Sequence, residues 1–305
     1  MDKKITLAGF LISLTGAIFF STKAIFVKLA FQSTNVDAIT LLSLRMLFSL
    51  PFYLFAAWLV TKKENVQPLS GKDWLLILVM GILGYYLSSL FDFIGLQYVS
   101  AGLERLILFL YPTFAVLINT FIFKTKLGRV QFIALALTYL GIGIAYFGEL
   151  QLDTSNPKFF FGSFMIFLCA ITYSFYLVGT GRMVQRVGVT RYTAYAMLAA
   201  TAGIFINFLL THTIQDIPFS SGLTGYAIAL AIIATVLPSF MMTNGMKRIG
   251  SNNVSIITSI GPVSTIIQAH FFLGEKIIAA QIFGTALVIA GVILIGWQSK
   301  YASEN

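Results

Sequence analysis

The chain has 305 residues, of which 58% are hydrophobic and 10% charged, against about 25% charged in a typical soluble domain; its mean hydropathy is +0.88. A soluble globule of this length cannot bury so much apolar surface, which excludes a soluble enzyme, a disordered chain and a coiled coil and leaves a polytopic membrane protein. The net charge of +9 does not mark a nucleic-acid partner, because the basic residues sit in short loops between apolar segments, where they set orientation.

One helical span needs roughly 20 apolar residues to cross a hydrocarbon core about 30 Å thick. Apolar runs and breakers predict ten such helices, over residues 7–30, 38–60, 74–93, 102–122, 130–148, 161–181, 191–211, 225–244, 252–272 and 279–298. The longest loops, 61–73 and 149–158, hold the Pro, Gly, Asn and charged residues expected of connections. The alternating ten-residue segments of a membrane barrel are absent. Lys3 and Lys4 precede the first run with no small-residue cleavage pattern after it, so the first run is expected to be an uncleaved span. Placing the N-terminus in the cytoplasm puts fourteen lysines and arginines on the inner side, among them Lys62, Lys72, Arg129, Arg186 and Lys247. Only Lys158 and Lys276 then fall in outer loops. The positive-inside rule thus predicts both termini in the cytoplasm, in a plasma (bacterial inner) membrane. Trp58, Trp74 and Trp297 fall at the cytoplasmic ends of spans, where amphipathic rings prefer to sit.

The two halves resemble each other. Residues 95–146 lie on 245–296 at a constant offset of 150, pairing Gly95 with Gly245, Pro112 with Pro262, Lys126 with Lys276 and Gly141 with Gly291. Each half holds five predicted spans, an odd number, so the second half must enter from the opposite side. The expectation is an all-α integral membrane protein of two inverted five-helix repeats, residues 1–150 and 151–305. Inverted repeats are a common build of secondary transporters, with the substrate near the midplane between halves.

Ionised side chains inside a span cost roughly 2.5–3.5 kcal/mol on insertion scales and face a cavity or a partner. Lys23, Lys28, Arg45, Asp92, Glu104 and Arg105 all fall in the outer half, and their repeat counterparts (Tyr176, Gly181, Leu198, Met242, Val254, Ser255) are uncharged. The scaffold does not need these charges, so pairing, gating or substrate contact explains them better. Four cations against two carboxylates favour a substrate with a carboxylate or another anionic group. Neutral polar residues add to the candidate cavity. Tyr85, Ser88, Ser89 and Asp92 are spaced to share one helix face; Asn252 and Ser259 share another; Tyr173 and Tyr176 sit mid-span in the sixth. The candidate substrate-binding or cavity residues are therefore Lys23, Tyr85, Ser89, Glu104, Arg105, Tyr111, Tyr173, Tyr176, Asn252 and Ser259. Asp92 and Glu104 are the candidates for proton coupling. Pro112 and Pro262, each near the middle of a span, deprive the Leu108 and Thr258 carbonyls of a backbone donor and are candidate hinges.

No nucleotide-binding glycine motif is present. The single cysteine, Cys169, and the isolated His212 and His270 offer no metal site, and no cofactor is expected. The glycines Gly81, Gly84, Gly141, Gly143, Gly284 and Gly291 are expected at close helix contacts.

The chain resembles the drug/metabolite transporter (DMT) superfamily, in particular its EamA-type branch. The resemblance is carried by Gly9, Ser21, Lys28 and Arg45, by LERLILFLYPTF (Leu103 to Phe114), by SIGPVSTIIQAHFFLGEKI (Ser259 to Ile277) and by QIFGTALVIAGVILI (Gln281 to Ile295). The first half departs from the family's loop signature, with Lys124-Thr125-Lys126 where the second has Gly274-Glu275-Lys276. The resemblance implies a cavity lined by spans 1, 3, 4, 6, 8 and 9. It also implies a secondary transporter, an exporter of a small organic metabolite such as an amino acid or related carboxylate, working by alternating access. A broad exporter of drugs or amphipathic cations is the alternative, and an integral-membrane lipid-modifying enzyme a remote one. The implied partners are a small-molecule substrate and the lipid bilayer, and the sequence does not report the oligomeric state.

Overall fold

A computed structural model of the chain describes residues 6–62, 68–123, 129–152, 156–218, 220–249, 254, 257–258 and 260–301. Asn252 and Ser259 lie outside the described residues. All secondary structure among the described residues is helical. Six helices are long and apolar enough to cross a membrane: Leu7–Ser33, Ala38–Thr61, Gly71–Leu96, Phe159–Thr180, Val189–Thr211 and Ser221–Ile249.

The elements are α1 (Leu7–Ser33), α2 (Ala38–Thr61), α3 (Gly71–Gly81), α4 (Ser88–Leu96), α5 (Ala101–Leu108), α6 (Tyr111–Phe123), α7 (Arg129–Leu152), α8 (Phe159–Val187), α9 (Val189–Thr211), α10 (Ser221–Ala231), α11 (Leu237–Ile249), α12 (Ile260–Leu273) and α13 (Ala279–Tyr301). Polar caps start several of them. The Asp37 carboxylate accepts from the Ile39 and Thr40 N–H groups, Ser70 and Asp73 form a capping box on α3, and Ser220 accepts from Leu223 N–H on α10. Between α8 and α9 the only residue is Gly188, at φ 84°. That value suits a residue without Cβ, and it replaces the loop expected over 182–190.

Two elements were not foreseen. Ile82–Leu87 and Ile232–Val236 are π-helical, and join α3 to α4 and α10 to α11. The two segments begin 150 residues apart, each after an eleven-residue α-helix. A π turn inserts a residue into the helical ladder and is common at functional sites.

The fourth predicted span also differs from expectation. It breaks at Phe109–Leu110 into α5 and α6, so Pro112 stands second in a new helix rather than inside a continuous one. Pro262 stands third in α12. Proline is tolerated in a first turn because the N–H it lacks has no helical acceptor there.

Helix α1 runs between elements of both halves, against α4 and α5 on one side and α10, α11 and α12 on the other. Helix α2 packs on α9 and α10; α4, α5 and α6 pack on α8; α7 packs on α13. The α7–α13 contact is close because a Cβ on Gly141 or Gly284 would fall within 2.5 Å of the other's carbonyl oxygen. Gly81 meets the Ala196 carbonyl in the same way, whereas Gly143 has open space where a Cβ would go, against expectation.

Large apolar side chains such as Phe55, Leu140, Phe160, Leu210 and Phe271 point outward and are more than half exposed. A surface of this kind is solvated by lipid rather than water. At one end of the bundle the Arg186 guanidinium lies 3.1 Å from Asp73; at the other, His212 lies 3.4 Å from Asp37.

Candidate functional site

A cavity lies among α1, the first π segment and α4, α5 and α6, α8, the second π segment and α11, and the stretch holding Val254 and Thr258. These are the segments the family resemblance implied, joined by Arg45 of α2 and Thr193 of α9. Its volume is about 130 Å³, room for on the order of ten waters.

The cavity wall carries three cations, Lys23, Arg45 and Arg105. All three are buried, at 7%, 3% and 5% exposure. Lys23 Nζ lies 2.8 Å from Asp92 Oδ2 and 3.7 Å from Glu104 Oε1. Both carboxylates have no exposed surface and neither lines the cavity. This corrects two expectations. Glu104 is not a wall residue, and Asp92 does not share the cavity face with Tyr85, Ser88 and Ser89, which do line it. Asp92 is drawn instead to the Lys23 ammonium, which one buried carboxylate needs as a counter-ion.

The arginines are held differently. Arg45 Nη2 donates to Ser89 Oγ at 3.0 Å, and its guanidinium lies 5.0 Å from the Phe93 ring centre. Arg105 lies over Phe20 at 5.2 Å, and Lys23 lies 5.5 Å from the same ring. Nε of each arginine has no hydrogen-bond partner. Among the described residues, neither guanidinium lies within 4.0 Å of a carboxylate. Burying an N–H of a charged group without an acceptor is costly, and three cations on one wall give it a surplus of positive charge. Arg105 reaches its position because Gly261 lies beside it; a Cβ there would be 2.9 Å from Nη2.

Opposite the cations stands a run of tyrosines. Tyr176 Oη donates to Tyr85 Oη at 3.0 Å, and their rings meet edge to face at 4.9 Å. Tyr173 stacks on Tyr176 at 5.7 Å and meets Tyr111 at 5.3 Å. The Tyr111 hydroxyl hydrogen-bonds the Thr258 side chain. Gly84 of the first π segment lies against Tyr176, where a Cβ would stand 2.2 Å from the ring. The π turn and its glycine therefore position the tyrosine run. Pro262 is not among the described lining residues.

Arg45 was read from sequence as an intramembrane charge but not as a cavity residue, and Phe20 was not singled out. Phe20 stands three residues before Lys23 in α1, a spacing that puts the two on one face, whereas Arg45 meets Ser89 only through the packing of α2 on α4.

Residues 7–147 and 160–297 match the EamA-like transporter family. The chain is 32% identical over 288 residues to YcbK, an uncharacterized transporter of Bacillus subtilis, covering 91% of this chain and 89% of that protein. An uncharacterized transporter of Archaeoglobus fulgidus is 24% identical over 277 residues, covering 88% and 91%. A crystal structure 20% identical in sequence superposes with a TM-score of 0.64, covering 94% of this chain and 95% of that one, a likeness of fold. With both long segments of the chain matched and a relative this similar over nearly its whole length, the chain belongs to the EamA-like transporter family of the drug/metabolite transporter superfamily and is a multi-pass membrane transporter.

Proposed function

We propose that the chain is a secondary transporter that exports a small organic metabolite bearing a carboxylate or another anionic group, an amino acid or a related acid, by alternating access. The observation that carries this reading is the cavity wall. Three buried cations line the cavity, and among the described residues neither arginine lies within 4.0 Å of a carboxylate, while Asp92 and Glu104 lie behind Lys23, outside the lining. A cationic drug would meet like charge there, which counts against the broad cation exporter.

In this reading the chain has ten spans in two inverted repeats, 1–150 and 151–305, with both termini in the cytoplasm. Three features support the repeat. The family matches two successive stretches. Ser70 and Ser220 cap helices at the same offset. The π segments keep that offset too. Rocking of the halves about the cavity exposes the site to each side in turn. Pro112 and Pro262 are the proposed hinges. Asp92 and Glu104 are the proposed proton carriers, since they share a single ammonium and an anion drawing Lys23 away leaves them a charge short.

The experiment is counterflow in proteoliposomes of the purified protein, with a panel of carboxylates, neutral analogues and organic cations, each with and without a pH gradient. Carboxylates are expected to exchange and cations to remain outside. Exchange of cations alone overturns the anion reading, and the absence of any exchange overturns transport by this site.

A further inference from the structure

Resting on the transport reading above and narrowing it to the acids that are not amino acids, we infer that the cavity takes amine-free organic anions with an aryl or bulky apolar body and discriminates against zwitterionic amino acids. Recognition of an α-amino acid needs two opposed charges on the site, a cation for the carboxylate and an anion or a set of free carbonyls for the ammonium. Among the described residues this wall supplies three cations and no carboxylate. Lys23, Arg45 and Arg105 line it. Asp92 and Glu104 have no exposed surface and lie behind Lys23, outside the lining. No other Asp or Glu is among the described lining residues. An ammonium on the carbon that bears the bound carboxylate would therefore be held close to three cations with no carboxylate among the described lining residues to pair with it, in a site where burial weakens screening.

The rest of the wall suits an apolar body. The Tyr176 hydroxyl donates to Tyr85 and the Tyr111 hydroxyl bonds Thr258, and the side chains of Tyr85, Tyr111, Tyr173 and Tyr176 bring four aromatic rings to the lining. Leu108, Leu177, Pro238 and Met242 complete an apolar lining. An aryl ring prefers offset or edge-to-face partners at the spacings the tyrosines already show among themselves. The ligand's charged head then lies toward Lys23, Arg45 and Arg105, the cations of the lining.

Three probes with one aryl body separate the terms: 3-phenylpropionate, phenylalanine and phenethylamine. Binding is measured by calorimetry on the full-length protein in nanodiscs, and counterflow by the same protein in liposomes. The expected result is that 3-phenylpropionate binds at least about tenfold tighter than phenylalanine, because an unpaired buried charge costs at least that much, and that phenethylamine does not bind. Arg105→Gln is expected to weaken 3-phenylpropionate by about tenfold or more, with Arg105→Lys recovering part of the loss, since lysine keeps the charge but not the planar fork. Equal or tighter binding of phenylalanine, or binding of phenethylamine, overturns the inference and leaves the transport reading standing. Absence of 3-phenylpropionate binding also overturns it. Binding of 3-phenylpropionate with no counterflow upholds the specificity and overturns the transport reading instead.

Discussion

The carboxylate of Glu275 closes the N-terminus of α5, its Oε1 accepting the Ala101 N–H at 2.9 Å while Oε2 accepts that of Gly102 at 3.3 Å. Ser100 Oγ takes the next donor, Leu103 N–H, at 3.0 Å. The first turn of α5 is thus satisfied half by its own cap and half by a residue that follows α12. Gly274, at φ 68°, ends α12 and lets the chain turn so that Glu275 faces α5. This gives the Gly274-Glu275-Lys276 signature a physical role. A negative group at a helix N-terminus is stabilising on both hydrogen-bond and dipole grounds, and this helix carries Glu104 and Arg105 within its next turn. The first-half counterpart, Lys124-Thr125-Lys126, lies outside the described residues.

Replacing Glu275 should therefore be felt at Arg105. Glu275→Ala is expected to lower stability by about 1 kcal/mol and to weaken anion transport, while Glu275→Gln, which keeps one acceptor, should lose less on both counts. Thermal unfolding and proteoliposome flux of the two variants check this together.

Lys23 is the only cation within 4.0 Å of two fully buried carboxylates among the described residues. Lys23→Gln strands Asp92 and Glu104 and is expected to destabilise by roughly 3–5 kcal/mol, the cost of leaving buried charge uncompensated. Adding Asp92→Asn should return part of that loss, because it leaves one buried carboxylate, Glu104, without a counter-ion instead of two. Unfolding midpoints of the single and double variants, compared as a cycle, test the coupling. A double variant no more stable than Lys23→Gln would show that the triad is not a closed charge unit. Transport adds a second measure. If Lys23→Ala impairs neutral and anionic solutes alike, its role is not charge-specific.

Much of this arrangement was legible in the sequence, for definable reasons. Span positions follow from apolar run length, which the bilayer fixes. The offset of 150 was visible in the registered Pro and Gly residues, and the π segments keep it. The π turns themselves were not visible, since ILGYYL and IIATV hold no residue that forbids an α-helix. The break at Phe109–Leu110 was hidden inside a continuous apolar run, LILFLY, which hydropathy cannot divide. The intramembrane charges were found, but not which of them pair. Lys23, Asp92 and Glu104 sit on three separate helices, and helical periodicity reports one helix at a time.

Two glycines should respond to alanine in opposite ways. At Gly84 the new Cβ would meet Tyr176, a ring already backed by Tyr173 and Tyr192. With nowhere for the ring to go, Gly84→Ala is expected to cost about 1–3 kcal/mol as overpacking. At Gly261 the Cβ would meet the end of the Arg105 side chain, which has rotatable bonds to spare. Gly261→Ala should leave the unfolding midpoint near that of the parent and reduce flux of anions several-fold by moving the guanidinium. Melting curves and counterflow rates on both variants distinguish a packing glycine from one that makes room for a binding group.

The last expectation concerns the junction of α5 and α6. Phe109 N–H still bonds the Arg105 carbonyl at 3.1 Å, but Leu110 N–H turns to Ile107 at 3.0 Å, and the helix resumes at Tyr111 with Pro112 behind it. A proline at this place keeps the two helices from fusing, because residue 112 cannot donate to the Leu108 carbonyl and its ring opposes a continuous helix. Pro112→Ala restores that donor. The variant is expected to fold with equal or greater stability, since the interior-proline penalty of about 3 kcal/mol no longer opposes a straight span. Its turnover should fall, because a fused α5–α6 removes the joint that carries Arg105 relative to Tyr111. Unfolding midpoint against counterflow rate is the deciding comparison. A slower, undiminished fold marks the break as a hinge; unchanged flux would mean that α5 and α6 move as one body whether or not the proline is present.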